Sequence, residues 1–362
     1  MDTARIRNWN ELNDRLFEDT WYRPHGRFRG PFVFRGMSNA AWELQTSLMR
    51  LAGQFEKLEG SLLRNFQKYG HSKASSGDSF WHWLVVAQHH GLPTRLLDWT
   101  YSPHIAAHFA TEAIDQFPYD GVIWAVDMIG VHDRLPNNLR KLLRDEHAFV
   151  FTTAMLDTFA KSLAQFDQRF SKEPRVAGAL FLEPPALDDR IVNQAALHSI
   201  MSPSNARLDR WFAEIAPELF RKIVIPASVK LEIRDKLDMM NITERLMYPG
   251  LDGLSKWLKR YYSPLNIAEI VYPARVVPDE AKRVAVVLEA RDGVLEIQAL
   301  RADGTLDFRS RIHSRDDGTW YDMGMKCPVT VRLGTPGELT EGLLAFLREL
   351  KSGQEPGVRA IV

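Results

Sequence analysis

The chain has 362 residues, 45% of them hydrophobic and 25% charged, which is typical of a folded globular protein with room for two domains. Its 46 Lys and Arg balance its 46 Asp and Glu, which excludes a chain-wide attraction to nucleic acid or anionic membranes, although a local patch stays open. The single cysteine, Cys327, excludes an intrachain disulfide and a thiolate zinc cluster. No stretch approaches the roughly 20 apolar residues of a membrane span, and the N-terminus lacks a signal-peptide profile, so a cytoplasmic protein without a membrane partner is expected.

Hydrophobic periodicity predicts alternating helices and strands up to about residue 265. Helices are expected at 9–19, 54–70, 79–90, 226–237 and 251–262, and most of 139–170 reads as helical. Strands are expected at 31–35, 94–99, 121–127, 177–183 and 222–225, with 190–200 as a strand or a turn and a strand. A further helix begins after Ser102, a good N-cap, with Pro103 in its first turn and Ile105, Phe109 and Ala113 on its buried face. Residues 1–265 are therefore predicted to form one α+β domain with many helices.

Residues 274–362 have a different pattern. Three apolar-rich strands are separated by Asp-Gly turns at Asp292-Gly293 and Asp303-Gly304, and the stretch CPVTVRL adds a fourth strand. A final helix is predicted from Thr335, with Pro336 in its first position. This region is predicted to be a small antiparallel β-sheet with one helix, and its expected role is structural or the binding of a partner protein.

Arg35 and Gly36 end the apolar strand that starts at Pro31. One interpretation is a strand that turns at the glycine and exposes its arginine. The other is an arginine held on a rigid element to grip an anion, with Gly36 keeping the space beside it open.

A second polar cluster lies between the helix at 79–90 and the following strand. It consists of Gln88, His89, Thr94, Arg95 and Asp98. Buried polar groups must be paired, so these residues form either a structural network, in which Arg95 and Asp98 neutralise each other, or the wall of a site. Metal binding is not expected, because adjacent histidines on a helix point about 100° apart and no HExxH pair exists.

The third cluster is the stretch from Asp188 to Gln194, in which Arg190 and Gln194 share a face of a helix or of a strand. The default interpretation of this cluster is a structural role. The sequence contains no P-loop, no GxGxxG motif and no GxSxG elbow, so these common nucleotide and nucleophile sites are not indicated.

Together these stretches resemble the FRG domain family, named for the Phe-Arg-Gly found here at 34–36. The resemblance covers most of residues 31–260, including FRGMSNAAWELQTSLMR, FWHWLVVAQHHGLPTRLLDWTYSPHIAAHFA and RIVNQAALHSI. The order of these blocks is similar to that of ADP-ribosyltransferase-like folds.

That resemblance implies a site for NAD as substrate. Arg35-Gly36 corresponds to the first element, the turn at Thr100 and Ser102 to the second, and Gln194 to the position of a catalytic Glu. A neutral amide cannot act as a carboxylate or a base, so Glu183 or Asp189 is the expected substitute. The expected catalytic residues are Gln194 and Glu183. The expected NAD-binding residues are Arg35, Gly36, Gln88, His89, Thr94, Arg95, Asp98, Thr100 and Ser102.

Three functions stay open on the sequence. The first is an ADP-ribosyltransferase-like enzyme or NAD glycohydrolase that acts on a macromolecular target, in the setting of a toxin or antiphage effector. The second is a non-catalytic module that binds a nucleotide or nucleic acid, in a bacterial defence or regulatory system. The third is a structural protein in which Arg35 is bonded to Asp98 inside the core.

Overall fold

The protein was analysed as a computed structural model that describes residues 2–23, 26–71, 79–170 and 178–263 and, beyond them, a set of strands. The chain divides into two compact units, Met1–Tyr262 and Ser263–Val362. The final helix predicted from Thr335 and both Asp-Gly turns lie outside the described residues. Among the helices that the structure describes, none is a candidate membrane span.

The first unit is a mixed α+β fold, which confirms the predicted class. Its helices are α1 (Trp9–Leu16), α2 (Phe55–Gly70), α3 (Phe80–His89), α4 (Pro103–Thr111), α5 (Met128–Asp133), α6 (Asn137–Asp145), α7 (Thr153–Phe159), α8 (Leu163–Phe170), α9 (Asp189–Asn193), α10 (Leu208–Ile215), α11 (Ala227–Met239), α12 (Glu244–Met247) and α13 (Leu251–Tyr262). Its strands are β1 (Asp2–Arg5), β2 (Trp21–Tyr22), β3 (Arg27–Phe28), β4 (Phe32–Met37), β5 (Leu96–Thr100), β6 (Gly121–Asp127), β7 (Phe151–Thr152), β8 (Gly178–Glu183), β9 (Ala196–Ser202) and β10 (Phe220–Ile225).

Eight of these strands form one sheet in the order β1-β10-β6-β4-β5-β9-β8-β7, and β2 and β3 form a separate ribbon. Most neighbours are antiparallel, while the outer pairs β1–β10 and β7–β8 are parallel. The runs of apolar residues in β6 and β8 are explained by burial on both faces, because the sheet is covered on each side.

Three hydrophobic clusters hold the layers together. One packs α3, α6, α7 and α8 against β5, β8 and β9 around Trp81, Phe151 and Phe166. A second packs α5 and α10 against the sheet around Trp124 and Phe212. The third packs α1, α4 and α11 against β4, β6 and β10. These helices fix the positions of the central strands.

Of the two alternatives for residues 190–200, a strand or a turn and a strand, the second is the closer. Asp188 caps the short helix α9 by accepting a hydrogen bond from the backbone N–H of Ile191, and β9 starts at Ala196.

The predicted buried face of α4 is wrong in two of its three residues: Ile105 is buried, but Phe109 is only half-buried, and Ala113, also half-buried, lies beyond the helix. The buried Ala106, Ala107 and Ala110 pack the helix on the sheet instead. Ser102 occupies the N-cap position of α4 but makes no side-chain cap bond.

The second unit contains, in its described residues, the strands β11 (Tyr272–Ala274), β12 (Ala285–Arg291), β13 (Val294–Leu300), β14 (Leu306–Ser314), β15 (Trp320–Asp322), β16 (Pro328–Val331) and β17 (Ala360–Ile361). They form one sheet in chain order. The pairs from β11 to β16 are antiparallel, as predicted for this region, and β16–β17 is parallel.

Candidate functional site

A cleft of about 840 Å³ lies where the large sheet divides. Strands β4 and β5 pair only at Phe34 and Thr100, whereas each is paired along its length with its other neighbour. The two strands separate beyond that point and leave room for side chains. The cleft is lined by Phe34, Arg35, Gly36, Met37, Ser38, Ala41, Trp42, Glu43, Gln45, Arg50, Asp98, Trp99, Thr100, Phe109, Glu112, Ala113, Arg190, Gln194 and Tyr248.

Arg35 lies at the point where β4 and β5 separate. Its Nη1 donates to the backbone carbonyl oxygen of Asp98, so the side chain bridges strands that no longer share a ladder. Its Nε is buried without a partner in the described part of the chain. Burial and the charge of Arg50 lower the pKa of Arg35, while the Asp98 carboxylate raises it. A guanidinium with incomplete pairing beside an open cleft is suited to bind an anion.

Gly36 has a packing role that differs from the expectation. A Cβ built on this residue would lie 1.8 Å from the carbonyl oxygen of Ala106 and 2.8 Å from the backbone nitrogen of Ala110. The missing side chain therefore lets α4 approach β4 closely. Gly36 still contributes to the cleft lining, but the space that it keeps open is filled by helix backbone.

The carboxylate of Asp98 lines the cleft and is held in place by side chains that lie outside the cleft lining. It accepts from Gln88 Nε2 at 2.9 Å, and His198 Nδ1 lies 3.1 Å from it on the neighbouring strand. Gln88 in turn accepts from Thr94 Oγ1 at 2.5 Å. Partial burial opposes ionisation of Asp98, but His198, Arg35 and Gln88 outweigh this effect and hold the pKa of the carboxyl below its ordinary value. Gln88 and Thr94 are thus supports of the cleft and do not line it.

Thr100 and Gln194 connect the two sides of the cleft. The Thr100 hydroxyl donates to the Gln194 carbonyl oxygen at 2.7 Å and accepts from the Ser102 backbone N–H at 3.0 Å. The Gln194 side-chain amide donates to the carbonyl oxygen of Met247 at 2.9 Å. Arg35, Thr100 and Gln194, which are far apart in sequence, all line the same cleft. Ser102 lies behind Thr100 and does not line it.

Arg95 belongs to a buried structural network and not to the cleft. Its guanidinium, 4% exposed, donates to Glu59 at 2.6–2.9 Å and to Asp167 at 2.8 and 3.0 Å. Burial lowers the pKa of Arg95, but the two carboxylates outweigh it and raise the pKa. Asp167 also accepts from Ser202 at 2.8 Å. The expected neutralisation of Arg95 by Asp98 is wrong, because Glu59 and Asp167 already pair the arginine.

His89 and Glu183 also lie outside the cleft lining. His89 Nε2 lies 2.7 Å from the carboxylate of Asp188, the residue that caps α9. Burial lowers the pKa of His89, against the opposing effect of Asp188. Glu183 accepts from the hydroxyl of Tyr101 at 2.8 Å. His89 therefore supports α9, and the Glu183 carboxylate is engaged elsewhere.

The cleft contains charged and aromatic residues that are not among the expected NAD-binding residues. Arg50 donates to the Gln45 carbonyl oxygen at 2.9 Å, and Arg190 lies 5.3 Å from the centre of the Tyr248 ring. Trp42 is 49% exposed. Arg190 and Gln194 do share one side of α9, as their four-residue spacing indicated.

Glu112 is a second carboxylate of the cleft, at the C-terminal end of α4. The hydroxyl of Tyr248 lies 3.4 Å from both of its oxygens, and burial and Glu112 raise the pKa of Tyr248, so this hydroxyl keeps its proton. His108 Nε2 lies 3.2 Å from Glu112 but is poorly aligned. Arg234 donates to His108 Nδ1 at 2.7 Å, so in the neutral ring the proton is on Nε2 and faces Glu112. No sequence motif marks Glu112, because only the folded chain brings Tyr248 to it.

The family model of the FRG domain matches residues 30–118. The chain contains an FRG domain. The matched segment carries Arg35, Asp98, Thr100 and Glu112, while Gln194 and Tyr248 come from later in the chain. Comparison with curated proteins and with solved structures gives no significant match. Among the described residues, no group of three or more His, Cys, Asp or Glu side chains is arranged to hold a metal ion.

Proposed function

We propose that this FRG domain binds NAD in the cleft and breaks the nicotinamide–ribose bond, as an ADP-ribosyltransferase-like enzyme or an NAD glycohydrolase. The observation that carries the proposal is the convergence of Arg35, Thr100 and Gln194 on one cleft. Their order along the chain is that of the three elements in ADP-ribosyltransferase-like folds, and the convergence follows from the splitting of β4 and β5.

The charges of the cleft support a pyrophosphate ligand. Arg35, Arg50 and Arg190 all line it, from β4, the loop after β4 and α9. A guanidinium can bind phosphate oxygens in bidentate fashion, and the unpaired Nε of Arg35 has unused capacity. The lining also carries three carboxylates, Glu43, Asp98 and Glu112, but Glu43 pairs with Arg207 outside the lining. The remaining excess of arginine favours a negatively charged ligand.

The rings of the cleft support a ligand with planar groups. Trp42, which is 49% exposed, contributes a face on which a nicotinamide or adenine ring can stack. A volume of about 840 Å³ lies within the range of small-molecule sites, and the mixture of rings with a few polar groups is typical of them.

Breaking the glycosidic bond develops positive charge on the ribose, as in glycoside hydrolysis, and a nearby carboxylate lowers the barrier. Nicotinamide leaves with the bonding electron pair, and an oxygen of water or of the target bonds to the ribose carbon and loses its proton. We assign the carboxylate to Glu112. Glu183 does not line the cleft and Gln194 is neutral, while of the other two carboxylates in the lining Glu43 pairs with Arg207 and Asp98 is held by Gln88 and His198. Gln194 then acts as a positioning residue, with its amide nitrogen fixed by Met247.

The test compares two matched substitutions, Glu112→Gln inside the cleft and Glu183→Gln outside it. Purified full chain is incubated with labelled NAD, with and without cell lysate, and nicotinamide release and label transfer are measured. Glu112→Gln is expected to lower the rate by at least about 100-fold while NAD still shifts the thermal transition, since only transition-state stabilisation is lost. Glu183→Gln is expected to stay near wild type. Equal rates for both variants would contradict the assignment, and no release by wild type would contradict the enzyme.

The second candidate function is a module that binds a nucleotide in the same cleft without turnover. It is favoured by the neutral Gln194, which occupies the position where the resemblance implies a catalytic Glu. A ligand at 100 times its Kd would stabilise the protein by about 2.7 kcal/mol. A thermal shift with NAD or another nucleotide, without nicotinamide release, would support this module over the enzyme.

A further inference from the structure

Positive charge is concentrated in one segment near the N-terminus, although the formal net charge of the whole chain is zero. From Thr20 to Trp42 there is no Asp or Glu, while the segment contains four arginines. Three of these, Arg23, Arg27 and Arg29, belong to the β2–β3 ribbon or flank its strands. A local basic patch is therefore present despite the balanced composition.

The ribbon also exposes aromatic rings. Trp21 is 50%, Tyr22 45% and Phe28 71% exposed. Trp21 pairs with Phe28 across the ribbon, with their rings in a T-shaped contact at 4.9 Å, and Tyr22 pairs with Arg27. Because neighbouring residues of a strand point to opposite faces, each face of the ribbon carries at least one ring.

The arginines of the ribbon are exposed, and none has an ion-pair partner among the residues that the structure describes. The nearest acids in sequence, Glu18 and Asp19, pair instead with Arg221 beyond the ribbon, and Glu18 also pairs with Arg15. The positive charge of the ribbon is thus not neutralised by these neighbours.

We propose that the β2–β3 ribbon is a docking surface for single-stranded nucleic acid. The arginines can neutralise phosphates, and the exposed rings can stack on bases. The faces of bases are accessible only in single strands, so a single strand fits this surface better than a duplex does. An anionic membrane surface would match the charge of the ribbon but not the placement of its rings. An element that inserts into a membrane has its apolar side chains on one face, whereas the ribbon has rings on both faces. The proposal goes beyond the function of the cleft and does not depend on it.

The test measures the binding of a labelled single-stranded oligonucleotide of about 12 nucleotides, a length within known single-strand site sizes, by fluorescence anisotropy at several salt concentrations. The triple variant Arg23→Gln, Arg27→Gln, Arg29→Gln is expected to bind at least about tenfold more weakly. Its salt slope is expected to fall by about 2, since each lost phosphate contact lowers the slope for single strands by about 0.7.

The matched control carries Arg64→Gln, Arg144→Gln and Arg210→Gln, which remove the same charge from exposed positions elsewhere. It is expected to stay within about twofold of wild type. Phe28→Leu is expected to weaken binding about fivefold or more and Phe28→Tyr to preserve it, because only the second keeps a stacking ring.

Equal weakening by the two triple variants would overturn the proposal, because it would show that oligonucleotide binding depends on net charge alone and not on the arginines of the ribbon. An absence of binding by wild type at low salt would also overturn it. Binding to phosphatidylcholine vesicles containing phosphatidylserine, without binding to the oligonucleotide, would overturn it in favour of a membrane surface.

Discussion

His132 is a buried, neutral histidine whose protonation we expect to destabilise the first unit. It is 3% exposed. The backbone N–H of Phe181 donates to Nε2 at 2.9 Å, so the ring proton is on Nδ1, which donates to the Phe149 carbonyl oxygen at 2.9 Å. A second proton on Nε2 would face an N–H group in a site closed to bulk solvent. Burial therefore lowers the pKa of His132 from 6.5 to about 4, although the Phe149 carbonyl acts in the opposite direction.

The sign and size of the effect follow from this shift. Between pH 6.5 and about 4 the unfolded chain binds a proton at His132 that the folded chain does not bind. Above pH 6.5, the pKa of His132 in the unfolded chain, this histidine causes no loss of stability. The free energy of unfolding falls as the pH decreases from there to about 4. At 1.36 kcal/mol per unit of pKa the loss sums to roughly 3 kcal/mol, of which about 2 kcal/mol is lost by about pH 5.

Urea unfolding, followed by tryptophan fluorescence at about pH 7.5 and about pH 5, measures this loss on either side of the histidine pKa of the unfolded chain. His132→Asn keeps a donor for Phe149 but removes the acceptor for Phe181. We expect it to be less stable by about 1–3 kcal/mol at neutral pH and to lose the His132 part of the pH dependence. His89 and His104, whose pKa values burial also lowers, are present in both proteins and cancel in the comparison. Equal pH dependence in variant and wild type would show that protonation of His132 does not destabilise the fold.

Two further predictions concern the framework around the cleft, and denaturant unfolding checks both. Gly36→Ala is expected to destabilise by about 3 kcal/mol or more, because the added carbon would overlap Ala106, whereas Gly60→Ala, with open space around it, should stabilise by about 1 kcal/mol. If the two alanines had similar effects, the close approach of α4 to β4 would be disproved. Glu59→Gln is expected to destabilise by about 3–5 kcal/mol, since it removes the main charge partner of buried Arg95, and a loss below about 1 kcal/mol would contradict that pairing.

Most elements of the first unit could be predicted from local sequence. Helix α4 begins at Pro103 with Ser102 at the N-cap position, and β6 spans the predicted residues. Helix α9, at the start of 190–200, was not predicted, because the apolar pattern concealed its local cause, the cap at Asp188. Strands as short as β2 and β3 carry too few residues for any periodicity.

The site was predictable only in part. Arg35 and Thr100, both expected in one site, are brought together by the pairing of β4 and β5, which the sequence analysis did not predict. The partners of polar residues were not predictable, because Arg95 meets Glu59 and Asp167 only through the packing of α2 and α8. Glu112 was missed for the same reason, since Tyr248 reaches it from a distant part of the chain.

Isothermal titration of NAD into the full chain measures whether the cleft around Arg35 binds NAD. The comparison uses Arg35→Gln and the control Arg64→Gln, an exposed position outside the cleft lining, with thermal unfolding to confirm that both variants are folded. We predict saturable binding by wild type and by the control, and binding at least about tenfold weaker for Arg35→Gln, which loses charged hydrogen bonds to phosphate. Equal affinity of a folded Arg35→Gln variant, or no binding of NAD by wild type, would contradict the account.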